Sequence, residues 1–261
     1  MIKFVLLFLF AWSFSNILPA QVRPMVINSG GNSGSFSGGT LSWSVGEPVI
    51  GRISSPSVIL SQGVLQSGPA INKSLAVTVF LEGLFNGSGM NKAMNGTVPQ
   101  FPGDIADQVS LELHSSAHYS DIEYTVSRVN LDTSGHIQIS IPTVFEGNYF
   151  VTVRHRNSIE TTTALPVSFV GNSVSYDFDT PAKAYGANMK LLPGGSCMIY
   201  VGDVNQDGVI DFADMLQVDN AISSLDSGYL ATDINGDGIT DINDMNNLDS
   251  NASRMVGTSH P

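Results

Sequence analysis

A twelve-residue pattern written twice limits what this chain can fold into more than anything else in its 261 residues. The first copy, D-V-N-Q-D-G-V-I-D-F-A-D, runs from Asp203 to Asp214, and the second, D-I-N-G-D-G-I-T-D-I-N-D, from Asp233 to Asp244. In each copy a side-chain oxygen falls at the first, third, fifth, ninth and twelfth places. These are Asp203, Asn205, Asp207, Asp211 and Asp214, and then Asp233, Asn235, Asp237, Asp241 and Asp244. Gly208 and Gly238 take the sixth places, and Val209 and Ile239 each offer a main-chain carbonyl at the seventh. Short acidic residues alternating on a tight loop supply the oxygen shell that calcium requires, about six to eight ligands at roughly 2.3–2.6 Å. Without an ion the carboxylates of a loop would crowd together, each pair at ~4 Å repelling by about 1 kcal/mol in water and more when desolvated. The spacing therefore predicts two calcium ions, one per loop, with each loop ordered by its metal.

Before the first loop the run C-M-I-Y-V-G reads as a strand, and each loop then leads into one helix. Phe212, Met215, Leu216 and Ile222 trace an apolar stripe on the first helix. Ile242, Met245, Leu248, Ala252 and Met255 do so on the second, which predicts that the two helices pack along these stripes. Loops with EF-hand ligand spacing, each feeding a single helix and carrying Asp at the twelfth place, resemble a type I dockerin over residues 201–256. The resemblance implies two structural calcium ions and docking onto a cohesin-like domain of another protein. At the tenth and eleventh places, where cellulosomal members carry small hydroxyl residues that meet the cohesin, this chain has Phe212 and Ala213, then Ile242 and Asn243. The calcium ligands thus carry over residue by residue, whereas the cohesin contact does not. Extracellular calcium keeps even loops with Kd of about 10⁻⁴–10⁻³ M filled, so a structural role is expected for the metal. Removing Asp203 and Asp233 is expected to unfold residues 201–256 and spare the rest.

At the other end, Met1-Ile-Lys3 precedes an apolar run, V-L-L-F-L-F-A-W-S-F, and then Leu18-Pro19-Ala20. This is the build of a secretory signal, cleaved after Ala20, and the run is shorter than the ~20 apolar residues a bilayer span needs. The expected location is secreted or cell-surface, with no membrane span. The formal net charge of −12 is concentrated: Asp203 to Asp249 holds eleven Asp and no Lys, Arg or Glu. A net-acidic chain without a basic run argues against nucleic acid or an anionic membrane as partner. Cys197 is the sole cysteine, so calcium takes the place that disulfides hold in many exported proteins. Its apolar neighbours predict a buried, inert thiol.

Between the ends lie two further zones. Residues 21–72 are rich in Gly and Ser, with short β-favouring runs near 22–28, 40–45, 48–53 and 57–65. The S-W-S-V-G-E-P-V-I-G run there is similar to the N-terminal segment of exported surface proteins of the Bacteroidota. Glu47 and Arg52 read as ordinary surface charges. Residues 73–200 carry seven runs with period-two alternation, from S-L-A-V-T-V-F to S-V-S-Y-D-F, which predicts an Ig-like or prealbumin-like β-sandwich. The runs A-K-A-Y-G-A-N-M-K-L-L and G-S-C-M-I-Y-V would add a strand pair handing the chain to the first calcium loop. Residues 257–261 form a tail. The fold class is thus mainly β, a sandwich with a small α-helical calcium module packed on it. Val79–Gly83, Asn86–Met90 and His155–Thr161 resemble stretches of a group of exported bacterial proteins that also end in D-x-N-x-D-G repeats, a resemblance that implies no activity.

The β-domain offers little catalytic chemistry. Glu112, Glu123, Glu146 and Glu160 are scattered without the pairing a glycosidase needs, and no G-x-S-x-G elbow is present. Glu112 with His114, and Arg154 with Arg156 opposite Tyr149, Val151 and Val153, read as solvent-facing strand charges. No row of strand aromatics suggests a sugar platform. The connection Asn86–Asp104 is long, with Met90, Met94 and Phe101 as anchors that would fold it onto the domain's rim or present it to a ligand. The chain reads as a non-enzymatic interaction or structural protein. The alternative is a carbohydrate-binding accessory protein of polysaccharide degradation, with a glycan as partner.

Overall fold

The computed structural model describes residues 72–261 in full and, for their backbone pairing, residues 32–36, 39–43, 53–55 and 58–60. The chain divides into two units, Met1–Ala70 and Ile71–Pro261. In the first unit β1 (Asn32–Phe36) pairs antiparallel with β2 (Gly39–Trp43), and β3 (Ile53–Ser55) with β4 (Val58–Leu60). Strands were expected over 40–45 and 57–65, which β2 and β4 partly fill. The signal at 1–20, the strand at 22–28 and the charges Glu47 and Arg52 lie outside the described residues.

The second unit is built on β5 (Asn72–Thr78), β8 (Ile105–Ser115), β9 (Ile122–Asp132), β10 (His136–Pro142), β11 (Asn148–His155), β12 (Ser158–Thr162) and β14 (Ser173–Asp177). They line up as β12-β11-β8-β9-β10-β5-β14, antiparallel except for the parallel pair of β5 with β14. The short strand β13 (Val167–Ser168) joins the free edge of β11 beyond β12. Two small hairpins complete the set, β6 (Met94–Asn95) with β7 (Val98–Pro99), and β15 (Lys190–Leu191) with β16 (Cys197–Met198). All seven alternating runs are strands, and the extra pair before the calcium loops is present. The strand at Ser158–Thr162 was not expected, because its five residues are nearly all buried and so show no alternation.

The mainly β character holds, and these strands hydrogen-bond as one continuous sheet. Twist accumulates across so many strands, and the sheet curls until its ends approach. Lys73 of β5 donates to the carbonyl of Phe169, just past β13, over 2.5 Å in a buried position. Inside the curl lie Leu75, Val77, Leu111, Leu113, Ile137, Ile141, Val151, Val153, Phe169 and Phe178. The same core runs without a break into Ile199, Val201, Val204, Ile210, Val218, Ile234 and Leu248. The C-terminal loops and helices are thus built onto the hydrophobic core of the sheet. Cys197 sits in that core, and burial pushes its thiol pKa up.

Two helices follow the twin loops, α1 (Phe212–Ser224) and α2 (Ile242–Ala252). Their buried faces match the expected stripes in part: Met215 and Ile222 of α1, and Met245, Leu248 and Ala252 of α2, pack on the core, but the stripes are not the whole of those faces. On α1 the buried residues are Asp214, Val218 and Ala221, while Phe212 is 73% and Leu216 49% exposed. On α2 they are Asp244, Leu248, Asn251 and Ala252, while Ile242 is 62% exposed. Met255 lies beyond α2 and is also exposed. The cause is geometric. The twelfth-place aspartate must face its own loop, and it sets the register of the helix. At about 100° per residue the positions four and seven further on share that face, while those two residues away point elsewhere. Apolarity alone selects Phe212 and Leu216; the loop selects Asp214.

The solvent-facing strand charges are also revised. Glu112, His114 and Thr152 are buried. His114 Nε2 and Arg154 Nε both meet Glu112 Oε2 at 3.0 Å, and Arg154 also pairs with Glu160. Tyr119 donates to Glu160 Oε1 at 2.7 Å and stacks on His114 on one side and His260 on the other. Burial first, and then Glu160, push its hydroxyl pKa up to about 12. This outer face is covered because residues 118–120 and the segment around Ser259, which bridges to Thr161, fold across it. Alternation reports which residues share a face, not whether something else lies on that face.

Candidate metal centre and the seam that holds it

The two loops share one framework of hydrogen bonds. In the first, Asp214 accepts through Oδ1 from the amides of Val204 (2.8 Å) and Asn205 (3.1 Å), and through Oδ2 from Asp211 (2.9 Å). In the second, Asp244 accepts through Oδ1 from Ile234 (2.8 Å) and Asn235 (2.9 Å), and through Oδ2 from Asp241 (2.8 Å). Asp211 and Asp241 cap their helices, accepting from Ala213 and Asn243, so each ninth and twelfth place together form a capping box. Within the turns Asn205 Oδ1 accepts from Asp207 and Asp207 Oδ1 from Val209, with Asn235, Asp237 and Ile239 matching. Gly208 and Gly238 both have φ of 89°, the left-handed region in which a Cβ is disfavoured.

The seventh-place residues keep their carbonyls outside the neighbouring ladders. Val209 bridges to Gly257 through the bonds of Ile210 N to Val256 O and Thr258 N to Gly208 O. Ile239 bridges to Ser227 through Thr240 N to Asp226 O and Gly228 N to Gly238 O. In both cases the ladder bonds belong to the residues on either side.

The first-place aspartates are the sharpest feature. Asp203 and Asp233 are both buried, and in each the Oδ1 atom has no hydrogen-bond partner. Burial, with Asp214 and Asp207 nearby, pushes the Asp203 carboxyl up to about 6. Burial, with Asp244 and Asp237, takes Asp233 to about 7 against the opposing pull of Arg156. A buried carboxylate oxygen without a donor is costly unless it is protonated or meets a cation. Among the described residues no three His, Cys, Asp or Glu side chains close on a common point; within each loop the Asn amide nitrogen bonds to the fifth-place Asp, at 2.8 Å in the first and 3.0 Å in the second. The donor set fits calcium nonetheless, being all oxygen, held on preformed turns, with one orphaned buried oxygen at each first place.

Around the loops runs a seam that the sequence did not disclose. The turn between β11 and β12 inserts Arg156 and Asn157 beside both loops. Arg156 Nη1 donates to the carbonyls of Leu230 and, at 2.8 Å, Asp233. Asn157 Nδ2 donates to Ala231 (3.0 Å) and Asp233 (3.2 Å), and its own carbonyl accepts from Gly202 at 2.7 Å. The turn thus touches the residue before the first loop and the residue that opens the second. Behind it, Asp107 is fully buried and meets His155 Nε2 at 3.0 Å, Arg156 Nε at 3.3 Å and the hydroxyl of Tyr229. Burial would raise its pKa, but His155, Arg156 and the bond from Tyr229 outweigh that and hold the carboxyl well below the usual range.

On the other flank Glu82 Oε2 accepts from Val201 N (3.1 Å) and Asn251 Nδ2 (2.8 Å), while Oε1 pairs with Lys190. Asn251 Nδ2 also reaches the Val201 carbonyl at 2.8 Å, which ties α2 to the strand entering the first loop. The long connection Asn86–Asp104 lies against the second loop. Met94 N donates to Gly236 O at 2.9 Å, Met90 and Ala93 are buried, and Phe101 meets Tyr229 edge-on with ring centroids 5.5 Å apart. A Cβ on Gly238 would come within 2.2 Å of the Gly96 carbonyl oxygen. Glu82, His155, Arg156 and Asn157 all fall in or beside the stretches Val79–Gly83 and His155–Thr161 singled out by resemblance, and that coincidence was the only sequence signal for them.

No family model and no curated protein matches the sequence. Among solved structures, a chain of a C-terminal interface mutant of the type II cohesin–X–dockerin complex from Acetivibrio cellulolyticus aligns with 16% identity and a TM-score of 0.42, covering 72% of this chain and 97% of that one. A chain of an N-terminal interface mutant of the same complex aligns with 15% identity and a TM-score of 0.40, covering 69% and 95%. At these values neither the role nor the residues of those proteins transfer to this chain.

Proposed function

We propose that this is a non-catalytic interaction protein whose residues 201–256 form a dockerin-like module clamped by two structural calcium ions. Asp203, Asn205, Asp207, the Val209 carbonyl, Asp211 and Asp214 would hold one ion. Asp233, Asn235, Asp237, the Ile239 carbonyl, Asp241 and Asp244 would hold the other. The observation that carries this reading is the pair of buried, unpartnered oxygens, Asp203 Oδ1 and Asp233 Oδ1, at the same place in two loops of matching hydrogen bonding. A bound calcium would supply the positive charge those oxygens lack, with the fifth- and ninth-place carboxylates, Asp207, Asp211, Asp237 and Asp241, completing its oxygen ligands. The module docks within the chain through Glu82, Arg156, Asn157 and the connection Asn86–Asp104. Phe212, Leu216 and Ile242 are left exposed on its helices for a protein partner.

Isothermal calorimetry of the full chain tests this. Wild type is expected to take up two calcium ions, and Asp203→Ala with Asp233→Ala none. Because the module shares its core with the sheet, chelation should lower the melting temperature of the whole Ile71–Pro261 unit rather than release residues 201–256 alone. No uptake at millimolar calcium, or chelator-insensitive proteolysis and melting, would sink the reading.

A further inference from the structure

A cleft lies on the outer face of the sheet beside the first calcium loop, whose fourth-place residue, Gln206, lines it without being one of the calcium ligands. The neighbouring strands β11, β8 and β9, with Gln206 and Tyr229 as a wall, form the floor of this open cleft of about 450 Å³. Its floor is shaped by a bulge. Val109 faces Val129 and Leu111 faces Val126, so Ser127 and Arg128 together oppose Ser110. Arg128 sits in the left-handed region at φ 58°, a conformation that costs a non-glycine residue about 1–2 kcal/mol. Bulges of this kind re-aim a side chain and gather beside functional sites. Here the bulge brings Arg128 into one cleft with Arg154 and Arg156.

The charges in the cleft are not equivalent. Arg154 is neutralised by Glu112 and Glu160, and Arg156 by Asp107. The three arginines are matched in number by Glu112, Glu160 and Asp107, but all three carboxylates are taken by Arg154 and Arg156, so Arg128 alone has no ion-pair partner among the described residues. Around it Gln108, Ser110, Ser127 and Gln206 supply neutral donors and acceptors. One guanidinium fits one carboxylate, as a fork of two parallel hydrogen bonds. The ring of neutral hydroxyls and amides fits a polyhydroxylated body.

We propose that this cleft binds an acidic saccharide through a uronate carboxylate, with Arg128 as the anchoring residue. The site takes its ligand by charge and hydrogen bonding, which is why no row of strand aromatics announces it.

The test is calorimetry of the full chain in millimolar calcium with a glucuronate-containing disaccharide, beside its methyl ester and inorganic sulfate. The free acid should bind and the ester should not. Arg128→Gly removes the charge and suits the left-handed backbone, so it should melt no lower than wild type yet bind at least about tenfold more weakly. Undetected binding of the acid, equal binding of the ester, or wild-type affinity in Arg128→Gly would overturn the proposal. Sulfate competing as well as the uronate would overturn the sugar assignment. Calcium uptake is read separately, so failure there does not mimic failure here.

Discussion

Replacing Arg156 by Met keeps the length of the side chain and removes the cation at the centre of the seam. Asp107 would stay fully buried and lose a partner whose Nε lies 3.3 Å away and whose side chain is 13% exposed. Breaking a buried ion pair from one side costs about 3–5 kcal/mol, because an uncompensated charge remains. The carbonyl of Leu230 would lose its donor from Arg156, whereas that of Asp233 would keep Asn157. Asp107 would itself keep His155, Tyr229 and the amide of Gln108. Those remaining donors place the loss near the lower end, about 3 kcal/mol. For a unit of this size that is a fall in Tm of roughly 6–12 °C.

The loss should depend on pH with a definite sign. The Asp107 carboxyl is held below its unfolded value, so its contribution is present above about pH 4 and fades as pH falls through the folded value. Urea unfolding followed by circular dichroism, in calcium, should therefore show the gap between wild type and Arg156→Met widest at pH 6–7 and narrowing below about pH 4. Arg156 also pulls the Asp233 carboxyl down, so calcium is kept saturating throughout to hold the loop carboxylates ionised in both proteins. Asp107→Asn combined with Arg156→Met should cost less than the sum of the two single changes. A gap under about 1 kcal/mol, or one that is flat from pH 7 to pH 3, would refute the view that this pair fastens the seam.

The remaining expectations are simpler. Gly238→Ala should cost more than Gly208→Ala by urea unfolding: both lose a left-handed glycine, about 1–2 kcal/mol, but only at Gly238 does the new Cβ meet main chain, at 2.2 Å, whereas at Gly208 the nearest atom is Thr258 Oγ1 at 3.1 Å. Leu248→Ala, at a fully buried position against Gly202, should lower stability by about 2–5 kcal/mol in the same assay. Phe212→Ser should change stability by no more than about 0.5 kcal/mol, since the ring is 73% exposed, and any larger loss would show that the ring packs within the chain. Asn251→Ala should raise the susceptibility of α2 to protease even in calcium, because Glu82 and the Val201 carbonyl both lose its amide.

The duplicated twelve-residue pattern was enough to place the loops, their glycine turns and the helices after them, because the bonding of these loops is local: each acceptor and its donors lie within twelve residues. Period-two alternation was enough for seven strands between Asn72 and Asp177 but not for the buried strand Ser158–Thr162, because it reports only on neighbours along the chain whose two faces differ. What alternation does not encode is how many sheets the strands form. That was set by pairings such as β5 with β14, about a hundred residues apart. Apolarity identified only part of each helix's buried face, finding Met215 and Ile222, then Met245, Leu248 and Ala252, but not Asp214 and Asp244, which turn that face toward their own loops. Glu112, His114, Arg154 and Arg156 look in sequence like wet strand charges. Only the folded chain brings Tyr119, Tyr229 and the loop carbonyls close enough to bury and pair them, because desolvation and ion pairing depend on distances across the sheet that no local spacing contains.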